Sequence, residues 1–172
     1  MLINNAGIMR NVRLDGERSL QDVTREIDVN LSGAIHMVQQ FLPHLKARPS
    51  AMIVNVSSGL AFIPMPSAPI YCAAKAGIHA YTRSLRAQLR STNVRVVELA
   101  PPPVETPLFR GEFAEEMKGE KAMPGKTLVK HALAGIEAGK DEITPGVTNV
   151  LRAMSRLAPG FMFSQMVKMS KL

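Results

Sequence analysis

The sequence predicts an α/β protein built on a parallel β-sheet, and three features carry that expectation. Short apolar runs near residues 2–5, 51–57 and 94–99 hardly alternate with polar residues, which is how strands covered on both faces read. The stretches between them repeat apolar residues at spacings of three and four, the period of an amphipathic helix. Strand, helix, strand, helix, strand in that order joins neighbouring strands by helical crossovers and so makes them parallel. No internal repeat and no linker-like segment divides the chain, so residues 1–172 are read as a single domain.

Each element has its own cause. Leu2-Ile3 runs into Asn4-Asn5-Ala6-Gly7 and reads as the end of a buried strand, followed by a polar loop over 8–18. Ser19 is placed to cap a helix, with Asp22 as the acid of a capping box. Leu20, Val23, Ile27, Leu31, Ala34, Val38, Leu42 and Leu45 then make one apolar stripe. This predicts a single long helix whose last turn Pro43 disturbs. Residues 51–57 form the second strand. A loop with Pro64, Pro66 and Pro69 leads into a helix predicted from Ile70 to Leu89. Residues 94–99 form the third strand, and Pro101-Pro102-Pro103 stop it because proline cannot donate to a ladder. Residues 104–125 read as irregular and mobile. Leu128 to Ala138 read as a short helix ended by Gly139, Glu142 to Thr144 as a last short strand, and the Met-rich C-terminal stretch as amphipathic.

Composition narrows the function. Apolar residues make up 46% and charged residues 20% of the chain, ordinary values for a globular protein. No apolar run approaches the roughly 20 residues of a membrane span, and the N-terminus lacks the basic and apolar regions of a signal peptide. The net charge of +7 raises the question of nucleic acid, but the basic residues are scattered and no aromatic residues interleave with them. Arg83, Arg86 and Arg90 read as a solvated helix face, so no nucleic-acid partner and no membrane partner is expected. A basic cleft would still favour a phosphate-bearing cofactor. Cys72 is the only cysteine, which excludes an intrachain disulfide and fits a reducing, cytoplasmic setting. The chain ends in Ser170-Lys171-Leu172, which is a peroxisomal address in a eukaryote and carries no meaning in a bacterium.

Four residues stand out together: Asn30, Ser58, Tyr71 and Lys75. Tyr71 and Lys75 are four apart and share a helix face, Ser58 closes a strand, and Asn30 lies in line with an apolar stripe where an amide needs partners. A tyrosine that exchanges protons near neutral pH must come down from its reference pKa by about 3 units, worth about 4 kcal/mol. One ammonium about 4 Å away at an effective dielectric of about 20 supplies about 4 kcal/mol, which is the work expected of Lys75. Ser58 would hold a substrate oxygen, and Asn30 would anchor a proton-relay water. With nine lysines in the chain, a Tyr–Lys pair at this spacing arises by chance about one time in ten for two tyrosines, so the weight lies in the conjunction.

At these residues the sequence resembles the short-chain dehydrogenase/reductase family. Asn4-Asn5-Ala6-Gly7, Asp28-Val29-Asn30, Ser57-Ser58-Gly59 and Tyr71-Cys-Ala-Ala-Lys75 all match its motifs, and Ser58 stands thirteen residues before Tyr71 as the family has it. The match runs from residue 2 to about residue 107. Ser58-Gly-Leu-Ala-Phe62 and Glu98-Leu-Ala-Pro-Pro102 are similar to a bacterial subgroup of DltE-type oxidoreductases. The resemblance implies the C-terminal part of a Rossmann-like, doubly wound parallel sheet that lacks the first three strands. It implies hydride transfer between NAD or NADP and a secondary alcohol or ketone as small-molecule substrate. Tyr71 would be the general acid/base, Lys75 would lower its pKa and bind the nicotinamide ribose, Ser58 would orient the substrate and Asn30 would hold the relay water. Asn5, Ala6, Gly7, Pro101, Val104 and Thr106 would lie along the cofactor. The two long helices resemble those with which the family forms homo-oligomers.

Two departures stand against this pattern. The family's Pro-Gly reads Pro101-Pro102, which removes an N–H and stiffens the nicotinamide loop. No two of the 12 glycines are separated by a single residue, so the family's glycine-rich phosphate loop is absent from this sequence. The chain alone is therefore expected to bind dinucleotide poorly, to leave its first strand as a bare edge and to associate. The rival readings are a non-catalytic remnant serving as scaffold and a dinucleotide-sensing regulator. An in-frame glycine-rich segment upstream of codon 1 would favour the enzyme. His36, His44, His79 and His131 lack ligand spacing, so no metal is expected. Phe62, Ile63, Pro64, Met65 and Pro69 either wall an apolar substrate pocket or pack a loop. Phe161, Met162, Phe163, Met166 and Met169 either cover that pocket or a partner, or pack a core.

Overall fold

The computed structural model describes residues 1–111, 113, 119 and 121–170. Four strands, β1 (Leu2–Asn4), β2 (Ala51–Val56), β3 (Val94–Leu99) and β4 (Glu142–Ile143), lie side by side in that order and are all parallel. The register pairs Leu2 with Ile53, Ile53 with Val96 and Leu99 with Ile143. The α/β parallel architecture expected from the apolar runs is therefore present, with β2 and β3 at its centre.

Successive residues of a strand point to opposite faces, and the two faces are covered by different helices. On one face Ile53, Val94 and Val96 meet Val38 and Leu45 of helix α2 (Gly33–Lys46) and Leu85 and Leu89 of helix α3 (Pro69–Leu89). On the other, Val54, Val97, Leu99 and Ile143 meet Leu128, Ala132 and Ile136 of helix α5 (Gly125–Glu137). Cover on both sides is why these strands carry so few polar residues. The buried polar residues of the strands, Asn55 and Glu98, sit on the α3 face near the carboxyl ends.

The long helix predicted from Leu20 to Leu45 is continuous but not uniform. Helix α1 (Leu20–Ile27) passes into α2 through a π-helical stretch at Asp28–Ser32 that contains Asn30. The wider turn rotates the chain relative to a regular helix, which brings Asn30 into the interior. Ser19 caps α1 as expected, its Oγ accepting from the Asp22 N–H at 3.2 Å. The Asp22 carboxylate faces Arg10 and Arg18 rather than closing a capping box. Leu20, placed on the apolar stripe, is exposed. Pro43 lies inside α2, which continues to Lys46.

Within residues 104–125, read as irregular, the chain forms a short helix α4 (Pro107–Arg110) and a parallel bridge between Val104 and Met123. Residues 112, 114–118 and 120 lie outside the described set, as do Lys171 and Leu172 of the C-terminal Ser-Lys-Leu. The C-terminal stretch folds as helices α6 (Val147–Leu157) and α7 (Pro159–Met169). None of the helices among the described residues is long and apolar enough to cross a membrane.

Gly139 ends α5 as predicted. It holds a φ of 74°, and the Lys140 N–H returns to the Gly135 carbonyl at 2.9 Å. Gly135 is needed for a different reason. A Cβ there would lie 2.7 Å from Cδ1 and 2.8 Å from Cγ1 of the buried Ile143. Gly135→Ala gains about 1 kcal/mol of helix propensity but incurs about 1–3 kcal/mol of overpacking, so a net loss is expected in urea denaturation. Ile143→Val in the same chain should recover part of it.

β1 is the outer strand of the sheet and pairs only with β2 among the described residues. Ile3 at its centre is 52% exposed.

Candidate active site

The carboxyl ends of β1, β2 and β3 lie at one edge of the sheet, and each emits a loop carrying residues singled out in the sequence. Asn5-Ala6-Gly7 follow β1, Ser57-Ser58-Gly59 follow β2, and Ala100-Pro101-Pro102 follow β3. Backbone bonds knit the last two loops together. The Ser57 N–H donates to Leu99 O and the Gly59 N–H donates to Pro101 O, both at 2.9 Å. The chain then tightens into a 3-10 turn over Gly59–Ala61, capped by Ser58, whose Oγ accepts from the Leu60 N–H at 3.1 Å.

Helix α3 starts above this edge. Pro69 occupies its first turn, where a missing N–H costs nothing, and Tyr71 and Lys75 follow one turn apart. The Ser58 hydroxyl stands beside the Tyr71 phenol and favours its charged form. Lys75 Nζ lies 5.6 Å from the centroid of the Tyr71 ring and donates to Val56 O, at the end of β2, at 2.8 Å. The three groups that the sequence linked by spacing alone therefore meet in one place.

Their electrostatics differ from the expectation. Tyr71 is only 7% exposed, and burial pushes its phenol up to about 12. The Ser58 hydroxyl opposes that rise, while Cys72 and Glu26 add to it. Burial likewise brings the Lys75 ammonium down to about 8. Lys75 was expected to make the phenol acidic. Instead both groups lose water in the same dry environment, and the ammonium is turned to a backbone carbonyl over the ring face.

Asn30 is joined to the loop after β1. Its Nδ2 donates to Ile8 O and its Oδ1 accepts from the Ile8 N–H, both at 2.8 Å. The amide thereby fastens the loop after β1. A Cβ on Gly7 would come within 3.2 Å of that Oδ1 and 3.8 Å of Lys75 Nζ, so glycine keeps the backbone close to both. Asn4 reaches inward to Asn55 Oδ1 at 2.8 Å, whereas Asn5 and Ala6 are exposed along the edge. Pro101 is half-buried, Val104 bridges to Met123, and Thr106 caps α4 by accepting from the Phe109 N–H.

An apolar cluster surrounds the phenol. Ile63 and Met65, read as possible wall residues, belong to it, and Phe62 packs against it. Phe109, Phe113 and Met166 come from segments whose contribution spacing alone could not place. Pro64 is exposed. Cys72 is buried in the same cluster and accepts from the Met65 N–H, and burial pushes its thiol up to about 11. In the folded chain it should resist alkylation at mildly alkaline pH and react at least tenfold faster in denaturant; equal rates would contradict its burial.

Sequence reasoning missed a buried hydrogen-bonded chain behind the serine turn, Ser57–Glu98–His79. The signal was present: a glutamate inside the apolar run Val-Arg-Val-Val-Glu-Leu needs partners. Among the described residues no cluster of His, Cys, Asp and Glu could hold a metal ion.

An open parallel α/β sheet with its polar groups gathered at the carboxyl ends defines the class of proteins that bind ligands in that crevice. The chain belongs to the short chain dehydrogenase family, whose model matches residues 1–117. It is 38% identical over 167 residues to the oxidoreductase DltE of Bacillus subtilis, covering 96% of this chain and 66% of DltE. It is 30% identical over 172 residues to 3beta-hydroxysteroid dehydrogenase 1 of Eggerthella lenta, covering 95% of this chain and 66% of that enzyme. Among solved structures, a short chain dehydrogenase from Burkholderia cenocepacia in complex with NADP is similar with a TM-score of 0.83 at 26% identity. That likeness covers 96% of this chain and 69% of that one. The chain thus spans just under two thirds of the length of these two curated relatives.

Proposed function

We propose that this chain carries the catalytic part of an NAD(P)-dependent oxidoreductase that interconverts a secondary alcohol and its ketone, with Tyr71 as the proton-exchanging group. The observation that carries the reading is the convergence of the Ser58 hydroxyl, the buried Tyr71 phenol and the Lys75 ammonium, 5.6 Å from the ring centroid, at the carboxyl edge of a parallel sheet. Two donors at one point can hold a single carbonyl oxygen between them.

A nicotinamide supplies or accepts the hydride. The chain's own residues do the rest. In reduction Ser58 orients the substrate oxygen and Tyr71 gives its proton to that oxygen as the carbonyl carbon gains hydride; the alcohol leaves with both hydrogens, and the phenolate is reprotonated from solvent. A phenol held near 12 is protonated throughout the neutral range, which supports its role as the donor in this direction. Oxidation needs the phenolate and is opposed by the same burial. Asn5, Ala6, Gly7, Lys75, Pro101, Val104 and Thr106 would lie along the dinucleotide, and the backbone at Gly7 runs close to the Lys75 ammonium.

The apolar cluster about Tyr71 favours a ketone with bulky apolar substituents. α2 and α3 present the long surfaces through which two copies would associate. The test is turnover of apolar secondary alcohols and ketones with each dinucleotide, using the longest reading frame that encodes this chain. Nicotinamide-linked turnover is the expected result, and its absence across both cofactors and both directions would overturn the reading.

A further inference from the structure

Ser57, Glu98 and His79 form a chain of contacts from the interior to the serine turn. Glu98 lies on the central strand β3, is 2% exposed, and is flanked by Val96, Val97 and Leu99. Its Oε1 accepts from the Ser57 hydroxyl at 2.5 Å. His79 Nδ1 lies 2.9 Å from Oε2 and 3.0 Å from Oε1, and as a donor it satisfies the carboxylate from α3. The other side of the imidazole meets the Phe62 ring edge-on, with centroids 5.1 Å apart. Phe62 closes the 3-10 turn that begins at Ser58.

Stability alone is a poor reason for this arrangement. Burying a carboxylate on a central strand carries a desolvation cost, and apolar side chains of similar size would fill the same space more cheaply. The polar residues are also not spread along the face that α3 covers. Ile53 and Val96 occupy its amino half, and Asn55, Ser57 and Glu98 its carboxyl half, next to Ser58 and Tyr71.

We propose that Glu98 is a positioning residue for Ser58: held by His79, it grips Ser57 from behind, while His79 holds Phe62 at the far end of the same turn. The turn from Ser57 to Phe62 is then clamped at both ends, and Ser58 meets the Tyr71 phenol without further ordering. The effect on turnover rests on the oxidoreductase reading; the effect on the turn does not. Misplacing a reacting group by about 1 Å can cost about a hundredfold in rate, so a clamp of this kind matters to catalysis more than to folding.

Two measurements test it. In the 172-residue chain, amide hydrogen exchange is compared for Ser57→Ala, Glu98→Leu and the double variant. The expected result is exchange about tenfold faster or more at Gly59, Leu60 and Phe62, with Ile53 and Val96 unchanged, and a double variant no faster than either single one. Ser57→Thr, which keeps the hydroxyl, should retain protection. Unchanged exchange at the turn overturns the proposal, as does equal acceleration at Ile53 and Val96, which would mean that the network holds the fold as a whole. In the longest reading frame, Ser57→Ala and Glu98→Leu should lower kcat about 10- to 100-fold while KM for the dinucleotide stays within about twofold. An unchanged kcat in an active parent also overturns it. A parent without turnover strikes the oxidoreductase reading alone, and the exchange pattern then decides whether Glu98 fixes the turn.

Discussion

Replacing Tyr71 by phenylalanine will lower kcat for ketone reduction by about 10²- to 10⁴-fold and leave dinucleotide affinity within about twofold. The variant removes one oxygen from a side chain that is otherwise surrounded by Ile63, Met65, Phe109 and Met166, so the packing survives. The Ser58 hydroxyl keeps the bond from Leu60, and the stability cost should stay near 1 kcal/mol. The reaction loses its only route for giving a proton at that oxygen. Ser58→Ala removes orientation but not the proton and should cost less. The measurement is steady-state kinetics beside dinucleotide titration by fluorescence. A Tyr71→Phe enzyme that retains kcat would end the assignment of this phenol, whatever else the fold suggests.

The second large effect concerns stability and pH. Burial lowers Lys75 from 10.5 to about 8. Below about 8 the amine is protonated whether folded or not, and the folded chain carries the full cost of a buried charge. Between about 8 and 10.5 the unfolded chain binds more protons than the folded one, so stability rises with pH through that window. The rise is of order 3 kcal/mol at about 1.36 kcal/mol per unit. Tyr71 acts in the opposite sense at higher pH. Its phenol moves from 10.0 to about 12 on folding, so the folded chain holds the extra proton there and stability falls again. Lys75→Met should abolish the rise between pH 8 and 10 in urea titrations. At neutral pH it should stabilise the ligand-free chain by about 1–2 kcal/mol, after roughly 1 kcal/mol is given back at the Val56 carbonyl. The same variant should lose turnover, a gain in stability set against a loss of function. An identical pH slope in the variant would show that Lys75 is not the group responsible.

Both predictions start from residues visible in the sequence, yet their signs come from the fold. The spacing of Tyr71 and Lys75 guaranteed that both lie on one helix face, because four residues are close to one turn. It could not reveal that the ammonium would turn to Val56 O or that Tyr71 would be enclosed by side chains from α4 and α7. Proximity along the helix suggested an acidic phenol; burial made it less acidic than a free tyrosine. Asn30 shows the same division. Its place among apolar residues marked it as an amide with partners, and only the π-helical turn showed that the partner is the backbone of Ile8.

What the sequence by itself determined is local and periodic. The strands follow from apolar runs, the helices from spacing, the cap from Ser19, the helix stop from Gly139, and the family from four short motifs. Each depends on neighbours within a few residues, so the chain carries it without folding. What only the tertiary structure decided depends on pairs far apart in the chain: Glu98 with Ser57 and His79, Tyr71 with Phe109 and Met166, Gly135 with Ile143. Hydration and charge at a site are set by everything that closes over it, and that closure is a sum over distant segments with no signature in any one of them.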